Sequence, residues 1–221
     1  MLPSRADELD ALFAGYALGT LPLPLQLLVD AHLEISTRNR GFVADLEAMA
    51  GRTLESAEPA GLSDRDRRLA AIFNLGEDDA PIAPTMSEPE VESERPRMPA
   101  AIRRFLGGDS DPSRWKKVLP GFRELKLGEF DGCRTSLMWI RAGQAMPVHT
   151  HEGAEVTLVL EGGFADGIGH YEAGDIAIAD DTVDHRPVAD ADGDCICLAI
   201  TDAPLRLTGP IGRLFNPLIR G

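Results

Sequence analysis

The chain has 221 residues, of which 43% are hydrophobic and 26% are charged, so it can bury the core of one large domain or two small ones. A formal net charge of −14 argues against a surface that coats nucleic acid, because phosphate binding needs clusters of Lys and Arg. No apolar stretch approaches the length of a membrane span, no secretory signal is recognisable and 3 cysteines are too few for a disulfide framework, so we expect a cytoplasmic protein without direct membrane or nucleic-acid contacts.

The first 76 residues have the periodicity of four amphipathic helices. The predicted helices run from Ser4 to Gly19, from Pro22 through His32, from about Arg40 to Gly51, and from Ser63 to Gly76. Their apolar faces comprise Leu9, Leu12, Phe13, Tyr16 and Ala17, then Leu25, Leu28, Val29 and His32, then Phe42, Leu46 and Met49, and finally Leu69, Ile72 and Phe73. Helices this short are unstable alone in water, so residues 1–76 are predicted to form a small helical bundle that relies on a partner for part of its burial.

Residues 77–97 have the composition of a linker. The stretch "EDDAPIAPTMSEPEVESERPR" contains seven acidic residues, four prolines and no aromatic residue. Such a segment has little to bury, so we expect it to be solvated and partly extended. It is predicted to join two independent units.

Residues 98–221 change to the pattern of short strands. The segments "CRTSLMWIRAG", "EVTLVLEG", "GDIAIADD" and "CICLAITDA" are separated by turn residues at the spacing of a β-sandwich or barrel. The preceding "MPAAIRRFLG" is predicted to be a helix on the outside of that barrel. The fold class predicted for the whole chain is therefore α+β.

One stretch, "HTHEGAEVTLVLEG", suggests a metal site. His149 and His151 share the parity of one strand face, Glu155 shares it too, and His185 ends a later strand. Three imidazoles and one carboxylate suit a borderline or harder divalent ion. We expect one divalent metal per chain, with zinc first and iron, manganese or nickel as alternatives.

These residues resemble the two motifs of the cupin family. Gly143, His149, His151, Glu155 and Gly162 have the spacing of the first motif, and the stretch "GDIAIADDTVDH", which ends at the last histidine, resembles the second. The second motif lacks its usual proline–glycine turn. The resemblance implies a double-stranded β-helix, which is a jelly-roll barrel, over residues 98–221.

The N-terminal stretch "YALGTLPLPLQLLVDAHLEIS" resembles the ChrR-type anti-sigma factors, which join a small sigma-binding helical domain to a C-terminal cupin. In that family an early histidine and a His-x-x-x-Cys-x-x-Cys motif bind structural zinc. Here the corresponding residues are Asp7, His32, Ser36 and Asn39. Hydroxyl and amide groups are poor zinc ligands, so we expect no zinc there and predict that His32 hydrogen-bonds to one of the other three.

Two functions follow from the resemblance and the site. The first is an anti-sigma factor that sequesters an extracytoplasmic-function-type sigma factor and senses oxidative stress or a small ligand through its cupin; an acidic inhibitor suits the basic side of sigma. The second is a metal-dependent cupin dioxygenase with a helical accessory domain. The sequence leaves the oligomeric state open and allows a homodimer.

Two other sequence features say less about function. Cys195 and Cys197 alternate with apolar residues, so they are predicted to be buried fillers of a late strand, with oxidant sensing as the alternative. The ten acidic residues between Asp166 and Asp202 are predicted to lie in solvated turns.

Overall fold

The computed structural model describes residues 6–74, 98–108 and 114–208, with the backbone alone at residues 6–8. The helices are α1 Ala6–Ala17, α2 Leu23–Ile35, α3 Arg40–Glu55, α4 Arg65–Phe73 and α5 Ala100–Leu106. The strands are β1 Lys116–Leu119, β2 Phe122–Phe130, β3 Cys133–Ile140, β4 His149–His151, β5 Glu155–Glu161, β6 Gly163–Ala165, β7 His170–Glu172, β8 Ile176–Ala179, β9 Val188–Ala189, β10 Cys195–Thr201 and β11 Leu205–Leu207. The α+β class is confirmed, and none of the described helices is long and apolar enough to cross a membrane.

The chain divides into two compact units. One unit combines Met1–Ala50 with Arg97–Gly221, and the other is Gly51–Pro96. The first unit therefore places α1 and α2 together with the strands. The linker predicted at 77–97 lies outside the described residues, and the domain boundaries drawn from its composition stay a prediction.

The strands form three antiparallel sheets of a barrel. The largest has the order β1-β2-β3-β10-β5-β8, a second has β7-β6-β9, and a third pairs β11 with β4. Strands that are distant in sequence are neighbours, as β10 lies between β3 and β5. The predicted metal residues lie on β4, at the beginning of β5, and at His185, which an isolated bridge pairs with His149.

The large sheet is apolar on both faces. On β10, Cys195 and Cys197 belong to one buried cluster, whereas Leu198 and Ile200 belong to another. The cluster of Leu198 also contains the buried side chains of α1, α2 and α5, including Leu28 and Ile102. Strands that are covered on both faces have continuous apolar sequences, which explains why "CICLAI" and "VTLVL" do not alternate between apolar and polar residues.

The end of the first helix and the beginning of the second lie where the sequence predicted them. Gly19 has φ +65°, which is the left-handed conformation that commonly ends a helix. The second helix begins directly after Pro22, whose ring cannot continue a hydrogen-bond ladder. The short helix before the barrel is confirmed as α5, and Phe105 packs on Phe130 of β2 with ring centroids 5.2 Å apart.

One helix boundary is wrong. The third helix does not stop at Gly51 but continues to Glu55, because one glycine inside a helix costs only about 1 kcal/mol. The fourth predicted helix is present as α4, which has no buried residue among those described, and its predicted end at Gly76 lies outside the described residues. Its apolar spacing therefore produces an exposed stripe.

Candidate metal centre

Backbone pairing brings the three predicted histidines together. The short strand β4 is fully buried, and strand alternation turns His149 and His151 toward the same side. The N–H of His149 donates to the carbonyl of His185 at 3.0 Å, and the N–H of His185 donates back at 2.9 Å. All three side chains are buried, and together they form a group that could hold a metal ion.

The distances between the rings fit a shared ion. The Nε2 atom of His185 lies 3.0 Å from Nε2 of His149 and 3.3 Å from Nε2 of His151. Nitrogen ligands about 2.0–2.1 Å from a tetrahedral zinc ion stand roughly 3.3 Å from one another. These two distances match the spacing of ligands around one centre, and ligand atoms of all three histidines lie within 4.8 Å of one another.

Hydrogen bonds on the far side of two rings fix their tautomers. The Nδ1–H of His149 donates to the carbonyl of Pro147 at 2.8 Å, and the Nδ1–H of His185 donates to the Asp166 carboxylate at 2.8 Å. A neutral imidazole that is protonated on Nδ1 carries its lone pair on Nε2. Two such lone pairs facing each other repel, unless a cation lies between them. The donor set therefore fits a divalent metal.

The third ring faces the predicted carboxylate. His151 is 1% exposed and its Nδ1 has no hydrogen-bond partner among the described residues, while Oε2 of Glu155 is 3.8 Å away. The other oxygen of Glu155 accepts a hydrogen bond from Thr157 Oγ1 at 3.0 Å. Glu155 lines the same cavity as His149 and His185. The group of residues that could hold a metal ion consists of the three histidines alone, so the assignment of Glu155 as the fourth ligand stays a prediction.

Burial keeps these imidazoles in the form that binds metals. Loss of water around the ring lowers the pKa of His149 to about 4, despite the opposing charge of Glu155. Burial also lowers the pKa of His151 below its ordinary value. A metal competes with protons for the same lone pairs, so low pKa values favour binding at neutral pH. A bound ion would offer its remaining coordination positions to a small ligand.

A small cavity adjoins the site. Its volume is about 30 Å³, and Met138, Phe164, Tyr171 and Cys197 line it together with the site residues. This volume is enough for at least one water molecule or a small ligand beside the histidines. Cys197 and Cys195 are confirmed as buried free thiols, with their Sγ atoms 3.4 Å apart. Their hydrogen bond and their burial raise the pKa of Cys197, which keeps this thiol protonated.

The N-terminal zinc-motif residues form a hydrogen-bond network. His32 is 3% exposed, its Nδ1–H donates to the carbonyl of Gly174 at 2.8 Å, and its Nε2 accepts from Asn39 Nδ2 at 3.0 Å. Ser36 Oγ accepts from the backbone N–H of Arg38 at 3.3 Å. The predicted bond between His32 and a neighbouring motif residue is confirmed for Asn39. The Asp7 side chain lies outside the described residues.

Asp166 is a site residue that the sequence did not reveal. Its side chain is 2% exposed, so the prediction that the acidic residues from Asp166 onward lie in solvated turns is wrong here. One oxygen accepts from His185, and the other accepts from the N–H groups of Ile168 and Gly169. Asp166 and His185 are 19 positions apart in the sequence, and no motif or periodicity links them.

Fold and site together define a class of protein, a cupin that carries N-terminal helices and a buried three-histidine cluster suited to a metal. The ChrR cupin-like domain matches residues 106–203. The anti-sigma-E factor ChrR of Cereibacter sphaeroides is 37% identical over 212 residues, which cover 96% of each protein. The crystal structure of Rhodobacter sphaeroides SigE in complex with the anti-sigma ChrR matches with a TM-score of 0.70 and 35% identity, over 87% of this chain and 96% of that one. The chain belongs to the family of ChrR-type anti-sigma factors.

Proposed function

We propose that this chain is a cytoplasmic anti-sigma factor that sequesters an extracytoplasmic-function-type sigma factor through its N-terminal helical part. The observation that carries the proposal is its similarity to ChrR over 96% of the chain, which includes the helices as well as the cupin. ChrR has been crystallised in complex with SigE. The net charge of −14 complements the basic side of a DNA-binding partner.

The segment 51–74 offers a surface for this partner. On α4, Leu69, Ile72 and Phe73 are 39%, 61% and 78% exposed, and their spacing places them on one helix face. Leu54 and Leu62 are also largely exposed. An exposed apolar stripe of this kind marks a protein interaction site. We assign α4 to the contact with sigma.

A charge placed on either side of α4 tests the assignment. Phe73→Asp puts a carboxylate into the apolar stripe, and Ala71→Asp puts the same charge on the opposite face of the same helix. We expect Phe73→Asp to weaken sigma binding about 30-fold, which is the scale of an interface hot spot, and Ala71→Asp to bind normally. The assay is isothermal titration with the sigma factor that copurifies with the chain. Equal affinities for the two variants would contradict the assignment.

We further propose that the cupin binds one divalent ion through His149, His151, His185 and Glu155, and that it senses oxidative stress or a small ligand. The support is the convergence of the three histidines and the position of Glu155 in the lining of the same cavity as His149 and His185. Nitrogen ligands with one carboxylate suit zinc best, and iron, manganese and nickel accept the same set. The cavity beside these residues gives a small ligand access to the site.

Elemental analysis of the purified chain tests the metal proposal. We expect one equivalent of metal in the wild type, a large loss in His149→Ala and a smaller loss in Glu155→Gln. His170→Ala is the matched control, because His170 is half exposed and pairs with Asp190 outside the cluster. Metal content that is substoichiometric in the wild type and unchanged in His149→Ala would refute the site.

A further inference from the structure

We propose that the cupin clamps α2 from both ends, so that the position of this helix depends on two cupin turns, β2–β3 and β7–β8. The clamp is an intramolecular interface between α2 and the cupin. The inference goes beyond sigma binding because it concerns the contacts that keep α2 in place. A clamped α2 differs from the prediction, made from the linker composition, that the helical part and the cupin are independent units. Three sets of contacts carry it.

The first contact is at the beginning of α2. Pro22 precedes the helix and provides no side-chain cap, and Pro24 has no N–H to satisfy. The N–H groups of Leu25 and Gln26 donate to the carbonyl of Pro22. The remaining first-turn donor, Leu23 N–H, donates to the Asp131 carboxylate at 2.9 Å. The cap that the helix lacks in its own sequence is therefore supplied by the β2–β3 turn.

Asp131 and Gly132 form the two-residue turn between β2 and β3, with φ values of +52° and +77°. Asp-Gly is a favoured pair in such hairpin turns, because both central residues need a positive φ and Asp tolerates it better than most residues. This turn places the Asp131 carboxylate within reach of the Leu23 N–H at the beginning of α2.

The second contact is at the end of α2, where the β7–β8 turn meets it. The Nδ1–H of His32 donates to the Gly174 carbonyl, and Arg38 forms an ion pair with Asp175. Gly174 has φ +89°, and a Cβ on it would lie 3.1 Å from the side chains of both Ile35 and Ser36. Glycine is required here both for the backbone and for the close approach of the helix. The turn itself is bonded to β5, since Gly174 N–H donates to the Val159 carbonyl at 2.8 Å.

The third set is apolar and lies between the two ends. Leu25, Leu28 and Val29 of α2 belong to the same buried cluster as Leu198 and Ile200 of the large sheet. Release of α2 would expose both surfaces to water. Each buried leucine or isoleucine contributes to the docked state, so the helix and the sheet stabilise each other.

Hydrogen–deuterium exchange on the full-length chain tests the clamp. Gly174→Ala adds a methyl group against α2, and Gly143→Ala is the matched control, because Gly143 also has a left-handed φ of +68° but open space at its Cβ position. We expect exchange of the α2 amides to rise about 2- to 10-fold in Gly174→Ala, the scale of one net hydrogen bond, while the β3 and β10 amides stay protected. No rise in α2 with Gly174→Ala, or the same rise with Gly143→Ala, would overturn the inference.

A second variant covers the case in which Gly174→Ala loosens the whole barrel. Asp131→Gly removes the acceptor of Leu23 N–H at the other end of α2, adds no bulk and suits the φ of +52° at this position. Faster exchange confined to the amides of α2 supports the clamp. Exchange in α2 equal to that of the wild type contradicts it, whatever the behaviour of Gly174→Ala.

Discussion

Replacement of Asp166 by Asn should weaken metal binding without touching a metal ligand. The Asp166 carboxylate accepts from His185 with one oxygen and from the turn N–H groups of Ile168 and Gly169 with the other. Asn has one acceptor oxygen, so if it keeps the turn bonds its NH₂ group faces His185 Nδ1. The ring then becomes an acceptor at Nδ1 and carries its proton on Nε2, where the metal lone pair is needed.

The size of this effect follows from comparable sites. Loss of a carboxylate that orients a metal-binding histidine typically lowers metal affinity about 10- to 100-fold, which is roughly 1.4–2.7 kcal/mol. The burial of Asp166 at 2% exposure places the expected loss toward the upper end, because water cannot substitute as the acceptor. The turn bonds should keep the barrel folded.

A chelator competition assay measures the loss. Purified apoprotein is titrated with zinc in the presence of a chromophoric chelator, for the wild type, Asp166→Asn and Asp190→Asn. Asp190 is the matched control, since it also binds a histidine, but the partner is the half-exposed His170. Wild-type zinc affinity in Asp166→Asn, or an equal loss in Asp190→Asn, would refute the reasoning.

Two further predictions concern stability. In metal-free protein the folded pKa of His149, about 4, lies below its ordinary value of 6.5, so the unfolded chain binds the extra proton. Urea unfolding should therefore show full stability above pH 6.5 and a loss of at most about 3 kcal/mol as the pH falls to 4; constant stability across this window would contradict the burial argument. Leu28→Ala, at a side chain with 0% exposure, should cost about 2–5 kcal/mol in the same assay, whereas Leu54→Ala, at 77% exposure, should change stability by less than about 0.5 kcal/mol. Similar losses for the two leucine variants would show that α2 is not docked.

The metal-site residues were predicted from the sequence more completely than the packing of the helices. His149 and His151 could be paired by strand parity, and the motif spacing linked them with His185, because short-range geometry and a defined motif carry that information. Asp166 could not be found this way, since its contact with His185 depends on how the β6–β7 hairpin folds over the barrel end. Long-range contacts of this kind leave no periodic signal.

Helix positions were predictable, but their partners were not. The apolar stripe of α4 has the same i, i+3, i+4 spacing as the stripe of α2, yet Phe73 is exposed and Leu28 is buried. Periodicity shows that a face is apolar and does not show what covers it. The continuous apolar run of β10 is the sequence signal that both faces of this strand are covered, and α2 packs on one of them.

Inhibition of transcription in vitro is the most direct test of the proposed function. Purified full-length chain is titrated into core RNA polymerase loaded with the sigma factor that copurifies from its own cell. We predict that transcription from a promoter of that sigma factor falls to background at one equivalent of chain, and that Phe73→Asp requires a large excess. Undiminished transcription with every sigma factor of that cell would contradict the assignment as an anti-sigma factor.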